Sequence, residues 1–334
     1  MKAITVGDDA AHSLRWEEVP DPVPGASELL LEVHATAVNR ADLLQRRGLY
    51  PPPPGAPPWL GLEAAGVVIE VGQPETSGIG SNWRPGARVC ALLSGGGYAE
   101  KVVVSREHVL PCPLGLSFEE AASLPEAFTT AWLNLSIEAG LQSGETVLIH
   151  AGASGVGLAA IQIARERRAR VIATVGSEAK ANACRAHGAD HVLIHTRDDV
   201  TAGLTQLAAE SPTGGIDIVL DCLGGADLAA HLPLLSIGGR WILIGLMRGG
   251  SATIDLRSLL SKRIRLIGST LRSRPPSEKS EAIQELRDLV WPAFERGRLK
   301  PTIHRILPIT EAELAQEILQ RNENIGKVVL TVSR

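Results

Sequence analysis

Val147-Leu148-Ile149-His150-Ala151-Gly152-Ala153-Ser154-Gly155-Val156-Gly157 decides the fold. An aliphatic run of strand length ends in glycines, and the glycines open an apolar helical pattern over Val156–Arg168. In such a unit the first glycine permits the tight turn. The others let backbone N–H groups approach a pyrophosphate and let the helix pack on the strand. The spacing here is Gly152-x-x-Gly155-x-Gly157, which departs from the common Gly-x-Gly-x-x-Gly, so the context carries the reading. The alternative is a glycine-rich turn with no ligand. The 18-residue stretch Val147–Ala164 approaches membrane-spanning length, but His150, Gln162 and the glycines divide it into strand, turn and helix.

Outward from this stretch, strand and helix alternate. Strands are expected at Thr146–His150, Arg170–Val175, His191–Ile194, Ile216–Asp221, Arg240–Gly245 and Ile264–Ser269. Helices are expected at Val156–Arg168, Glu178–His187, Asp198–Glu210 and Asp227–Ser236, with a longer one over Ser277–Arg296. That alternation predicts an α/β protein with a doubly wound parallel sheet. Upstream the texture is β-rich: Leu29–Ala35, Ala65–Gly72, Arg88–Leu92 and Tyr98–Val104 are aliphatic runs closed by turn residues. Helical patterns follow at Phe118–Ala122 and Phe128–Ala139. The end returns to β, helix, β: Ile303–Ile306, a capping box Thr310-x-x-Glu313, and Val328–Val332. We therefore expect a dinucleotide-binding domain over 121–297, inserted into a β-rich domain built from 1–120 and 298–334. The prolines Pro51–Pro54, Pro57 and Pro58 form a stiff, donor-poor loop inside the β-rich part, read as a structural loop beside a cleft rather than a partner motif.

Composition narrows the function classes. The chain has 334 residues, 44% hydrophobic and 21% charged, with a net charge of −4. That suits a two-domain globular protein and excludes a disordered one. The acidic balance and 3% aromatics argue against nucleic-acid partners. Asp8 and Asp9 arrive before any apolar core, unlike a signal peptide, and no membrane partner is expected. Cys90, Cys112, Cys184 and Cys222 have neither zinc-module nor disulfide-framework spacing, which is read as buried reduced thiols in a cytoplasmic protein. His34, His108 and His187 likewise lack metal-ligand spacing.

The second strand of the alternating region selects the dinucleotide. NAD enzymes usually place a carboxylate at its tip for the ribose 2′-hydroxyl. This strand ends Thr174-Val175-Gly176-Ser177, with Glu178, Ala179 and Lys180 beyond. No carboxylate sits at the tip, Gly176-Ser177, and Ser177 and Lys180 suit a 2′-phosphate, so NADPH is the expected cofactor. Glu178 is the complication; on the next helix it can face solvent. The alternative for Lys180 is a solvated helix lysine.

These motifs, taken together, resemble the medium-chain dehydrogenase/reductase superfamily. The narrower resemblance is to its zinc-free quinone oxidoreductase branch, the relatives of zeta-crystallin. It is carried by Asn39-Arg40-Ala41-Asp42, by Gln45-Arg46-x-Gly48-x-Tyr50-Pro51-Pro52-Pro53, and by Gly61-Leu62-Glu63. Leu124-Pro125-Glu126-Ala127, His150-Ala151-Gly152, Leu220–Gly225, Gly239-Arg240-Trp241 and Asn324-Ile325-Gly326-Lys327 extend it, in family order, from about residue 28 to residue 330. The resemblance implies a Rossmann sheet inserted into a GroES-like domain, and a homodimer paired through an edge strand. Zinc-dependent relatives carry Cys near position 39 and His-Glu near 62–63. Asn39 and Leu62-Glu63 stand here, so two of the usual zinc ligands are missing and no metal is expected.

The resemblance also implies roles for individual residues. Thr130 matches the threonine near the nicotinamide. Gly152, Ser154, Gly155, Val156 and Gly157 form the glycine loop, with Ser154 able to reach cofactor or substrate. Gly245-Leu246-Met247 follows a strand at the carboxyl end of the sheet, where ligands bind. Leu271-Arg272-Ser273 borders the nicotinamide side, and Asn324 and Lys327 close over the cofactor. His195 stands where relatives place a tyrosine near the adenosine phosphate; it either stacks there, making NADPH affinity pH-dependent, or is an ordinary surface histidine. Asn39 either donates its amide to a substrate carbonyl or satisfies its own loop. Tyr50 either contacts the substrate or only packs. Asp42 is expected to orient Arg40, Arg46 or backbone, and Glu63 to accept structural hydrogen bonds. The implied activity is zinc-independent hydride or electron transfer from NADPH to quinones. The enzyme alternative is an NADPH-dependent enone or enoyl reductase, whose product needs a proton at carbon. A non-catalytic NADPH-binding sensor or crystallin-like protein is the alternative outside enzymology.

Overall fold

The computed structural model describes residues 1–72 and 83–332. The chain forms two compact units, one from Met1–Thr129 with Leu271–Arg334, the other from Thr130–Thr270. The unit of the chain's two ends begins with a hairpin of β1 (Lys2–Val6) and β2 (Leu14–Glu18). Then come β3 (Glu28–Ala37), β4 (Glu63–Val71), β5 (Arg88–Leu92), β6 (Lys101–Ser105) and β7 (Val109–Pro111).

The middle unit holds β8 (Thr146–Ile149), β9 (Arg170–Val175), β10 (His191–Ile194), β11 (Ile216–Asp221), β12 (Leu235–Leu243) and β13 (Arg265–Gly268). They lie in the order β10-β9-β8-β11-β12-β13, and every pairing is parallel. The strand order reverses between β8 and β11, and ligands of such sheets bind outside the carboxyl ends at that point. Leu148, Ile172, Val219 and Trp241 pack there with Leu204 and Leu232 from the covering helices. β8 and β11 are buried along their whole length, as a parallel sheet with both faces covered requires.

After the middle unit the chain returns through the helix Pro276–Leu289 to β14 (Ile303–Pro308) and β15 (Lys327–Thr331). These two complete a seven-stranded sheet, β14-β15-β3-β4-β5-β7, with β6 paired to β3. All its pairings are antiparallel except β14 with β15. Among the described residues no helix is long and apolar enough to cross a membrane.

Several expected boundaries move. The units divide at 129/130 and 270/271, rather than at 120/121 and 297/298. The reason is tertiary: the segment after Thr270 fastens to the sheet of the chain's ends. His108 Nε2 lies 3.2 Å from the Pro276 carbonyl, Ser280 donates to Glu107, and Trp291 Nε1 donates to the Pro111 carbonyl. The helix expected over Ser277–Arg296 breaks into Pro276–Leu289 and Trp291–Glu295, because Pro292 has no N–H to continue the first helix. The helix expected to reach Ser236 ends at His231, where Pro233 turns the chain into a 3₁₀ turn. The Thr310-x-x-Glu313 capping box does not form. The helix starts at Ala312, and Glu313 instead accepts from Arg46 at 2.8 Å and from the Leu14 N–H at 3.0 Å.

Candidate active site

The glycine loop lies at the carboxyl end of β8, and helix Gly155–Glu166 follows it. A Cβ at Gly157 would stand 2.5 Å from the Gly152 carbonyl oxygen, and one at Gly152 would stand 2.8 Å from the Ala173 Cβ. These two glycines are thus required by backbone and helix–strand contact. Ser154 caps the helix, its Oγ accepting from Gly157 N at 3.0 Å. The first intrahelical donor is Leu158 N, to Ser154 O at 2.9 Å, so the amides of Gly155 and Val156 precede the ladder and carry the positive end of the helix dipole. Both residues are partly exposed. This cradle fits the pyrophosphate of a dinucleotide.

At the tip of β9, Ser177 caps the helix Glu178–Ala186, its Oγ accepting from Lys180 N at 3.4 Å. The Glu178 carboxylate is held by Arg185 at 2.9 Å and Arg197 at 2.8 Å, which keep it below the usual carboxylate range. A Cβ at Gly176 would stand 3.1 Å from His195 Nε2, so the imidazole covers the strand tip. Burial pushes the His195 pKa down, with Arg248 adding to the shift. Any charge change on the ring therefore falls on the acid side of the ordinary histidine range.

On the other side of the switch point Asp221 ends β11, fully buried. It accepts from Leu223 N at 2.6 Å, Gly224 N at 3.2 Å and Trp241 Nε1 at 3.0 Å, which fixes the loop beyond the strand. Gly245-Leu246-Met247 runs beside that loop: Met247 N donates to the Cys222 carbonyl at 3.1 Å, and both side chains are about half exposed. Thr130 lies in the helix Pro125–Trp132, its carbonyl accepting from Asn134 at 2.7 Å.

A second constellation lies in the unit of the chain's ends. Glu63, fully buried at the start of β4, accepts from Lys327 Nζ at 2.6 Å, from Asn39 Nδ2 at 2.9 Å and from Glu126 N at 2.8 Å. Lys327 also donates to Asn39 Oδ1 at 2.6 Å and to the Val38 carbonyl at 3.1 Å. All three of its protons are therefore committed inside the unit. The buried carboxylate requires such a partner, and Lys327 supplies it. Asn324 likewise turns its amide to the Gly326 carbonyl at 2.8 Å.

Asn39 Nδ2 also reaches the Ala37 carbonyl at 3.2 Å, so its amide satisfies its own surroundings in this structure. Asp42 accepts from Asn39 N at 2.8 Å, Gly61 N at 3.0 Å and Tyr98 Oη at 3.2 Å, orienting backbone and Tyr98 rather than Arg40 or Arg46. Burial raises its carboxyl to about 6. Glu126 is pushed further, to about 8, first by burial and then by the neighbouring Glu63.

Tyr50 is partly buried beside this network. The Arg272 guanidinium lies over its ring, 5.4 Å from the centroid, and Ser273 is a hydrogen-bond partner of its phenol. Burial raises the Tyr50 pKa, opposed by Arg272. Leu271 is buried and Ser273 exposed. Three residues of the two units had no role in the sequence reading. Glu126 lay inside a quoted motif, but its proximity to Glu63 spans 63 residues of chain. Lys279 reads as an ordinary helix lysine, and Asp221 as the last residue of a strand. Among the described residues no group of three or more His, Cys, Asp or Glu side chains is placed to hold a metal ion.

Residues 155–288 match the family described as zinc-binding dehydrogenase, and residues 25–114 match the alcohol dehydrogenase GroES-like domain. The chain is 31% identical over 315 residues to the quinone oxidoreductase of Mus musculus, covering 94% of this chain and 92% of that protein. Its structure resembles that of an NAD-dependent alcohol dehydrogenase, with a TM-score of 0.84 and 31% identity over the whole of both chains. It also resembles a mycobacterial protein complexed with NADPH, at a TM-score of 0.84 and 28% identity over 99% of this chain and 100% of that one. The parallel sheet, the glycine cradle and the GroES-like unit agree with these matches, and the chain belongs to the medium-chain dehydrogenase/reductase superfamily, in its quinone oxidoreductase branch.

Proposed function

We propose that this oxidoreductase transfers reducing equivalents from NADPH to quinones. The observation that carries the cofactor choice is the tip of β9. The carboxylate there, Glu178, is neutralised by Arg185 and Arg197, and Ser177 and Lys180 stand beside it. A ribose 2′-hydroxyl finds no free acceptor in that arrangement, whereas a 2′-phosphate finds donors and positive charge. Gly155, Val156 and Ser154 would hold the pyrophosphate. Gly176, Ser177, Lys180 and His195 would hold the adenosine phosphate. Thr130, Gly245, Leu246 and Met247 would border the nicotinamide. The bound dinucleotide supplies hydride; the chain's residues bind, orient and move protons.

Support for the acceptor class comes from the quinone oxidoreductase relative and from Tyr50, a half-buried ring suited to a planar conjugated molecule. A quinone oxygen takes its proton from water, so no protein acid is obligatory. The enone or enoyl reading is supported by one observation, Glu126. A carboxyl raised to about 8 still carries its proton at pH 7 and is a general acid of the kind that alkene reduction requires.

The same reading makes the protein a cytoplasmic homodimer. Leu266 on the edge strand β13, and Leu256 and Leu260 just before it, are exposed apolar side chains that an edge-to-edge pairing would cover. Sedimentation at graded concentration tests that part, and a monomer at micromolar concentration refutes it. The activity is tested by cofactor oxidation at 340 nm against a para-quinone, an ortho-quinone, an enone and an enoyl thioester, with NADPH and NADH compared. Quinone turnover preferring NADPH is expected. Turnover with the enone or thioester alone transfers the assignment to alkene reduction.

A further inference from the structure

Two buried cations in the unit of the chain's ends have no carboxylate partner among the described residues. Arg272 is 4% exposed and Lys279 is 6% exposed. Arg272 donates through Nε to the Ser94 carbonyl at 2.9 Å and through Nη1 to the Tyr50 carbonyl at 3.3 Å, while its buried Nη2 has no partner. Lys279 Nζ donates to Ser94 Oγ at 3.0 Å and to the Arg272 carbonyl at 3.2 Å. All of these partners are neutral.

Burying unpaired charge is costly, and burial lowers the pKa of both groups. Glu126 is the carboxyl whose field reaches both, and with its own value near 8 it is protonated at neutral pH; Asp42, raised only to about 6, acts on Arg272 but not on Lys279. Arg272 stands directly against the Tyr50 ring.

We propose that Arg272 and Lys279 form an oxyanion subsite for the acceptor, receiving the oxygen of a planar conjugated substrate on which negative charge gathers during reduction; the proposal rests on the quinone reading above. Hydride brings two electrons and one hydrogen to the quinone. The charge falls on oxygen, and that oxygen then takes one proton from water, giving the hydroquinone and leaving the dinucleotide oxidised. Fixed cations in a dry setting stabilise such charge without reorganisation. Arg272 is thereby reassigned, from bordering the nicotinamide to holding the acceptor's oxygen. Lys279 joins it as a second, independent contact.

An acceptor analogue that already carries the charge isolates the subsite from turnover. The probe is 2-hydroxy-1,4-naphthoquinone, ionised at neutral pH, compared with neutral 1,4-naphthoquinone. Binding to the full chain is followed by tryptophan fluorescence with oxidised dinucleotide present. The wild type is expected to bind the anion at least about tenfold more tightly than the neutral parent. Lys279→Met, which keeps the volume, brings that ratio to about one, and Lys279→Arg restores it. Arg272→Lys lowers the ratio by several-fold without abolishing it. An anion preference absent in the wild type, or unchanged in Lys279→Met, overturns the proposal. A wild type that prefers the anion but reduces no quinone keeps the subsite and removes the quinone reading. Quinone turnover without the preference does the reverse.

Discussion

Replacing Lys327 by Met separates two accounts of that residue. Nζ sits 2.6 Å from Glu63 Oε1, and the side chains are 6% and 0% exposed. Removing the ammonium leaves the carboxylate buried with two donors, Asn39 Nδ2 and Glu126 N, and no positive charge. Breaking one side of a buried pair typically costs about 3–5 kcal/mol. For a unit of this size that corresponds to a fall in Tm of about 6–20 °C. The assay is thermal and urea unfolding without cofactor, paired with a titration of reduced dinucleotide. The double variant Glu63→Gln/Lys327→Met, which removes both charges, is expected to regain at least about 2 kcal/mol relative to the sum of the single changes. If Lys327 instead closed over the cofactor, the single variant would unfold near the wild-type midpoint and bind the dinucleotide far more weakly. That pattern, or a stability loss under about 1 kcal/mol, refutes the ion-pair account.

Three further outcomes are expected. Gly157→Ala places a Cβ 2.5 Å from one backbone oxygen and 2.6 Å from another; it should destabilise the middle unit by about 1–3 kcal/mol and weaken dinucleotide binding at least tenfold, read by cofactor fluorescence. Glu126 is raised in the folded chain from an ordinary 4.5 to about 8, so its contribution to stability is complete below pH 4.5 and is lost as pH climbs through 8. Unfolding free energy should therefore fall across that window by at most about 1.4 kcal/mol per pH unit, and Glu126→Gln should flatten the profile; an unchanged profile would show that Glu126 is not the group involved. Lys180→Ala should cost NADPH about tenfold in affinity, roughly 1.4 kcal/mol, with NADH shifted less than twofold; an equal loss for both dinucleotides would remove the 2′-phosphate assignment.

How legible the molecule is in its sequence differs between its parts. The parallel sheet is written locally. Each strand is a short aliphatic run, each crossover carries a helix of 6 to 12 residues, and right-handed connections leave few ways to order them. Arg170–Val175, His191–Ile194 and Ile216–Asp221 therefore have the same bounds in sequence and structure. Glycine chemistry is also local, because a missing Cβ matters to the turn that contains it. The lack of a carboxylate at the strand tip Val175-Gly176-Ser177 belongs to the same class.

What only the tertiary structure decided involves charge and distance along the chain. Asn39, Glu63, Glu126 and Lys327 are separate motifs in sequence. β3, β4 and β15 bring them into one buried network, where each side chain is held by the others. The division at Leu271 likewise depends on Trp291 and His108 finding carbonyls more than 160 residues away in the chain. Hydrophobic period and turn chemistry are properties of neighbours in sequence, so they specify elements. The worth of a buried charge depends on what the fold places beside it, and Arg272 and Lys279, unpaired behind Tyr50, could be recognised only once those surroundings existed.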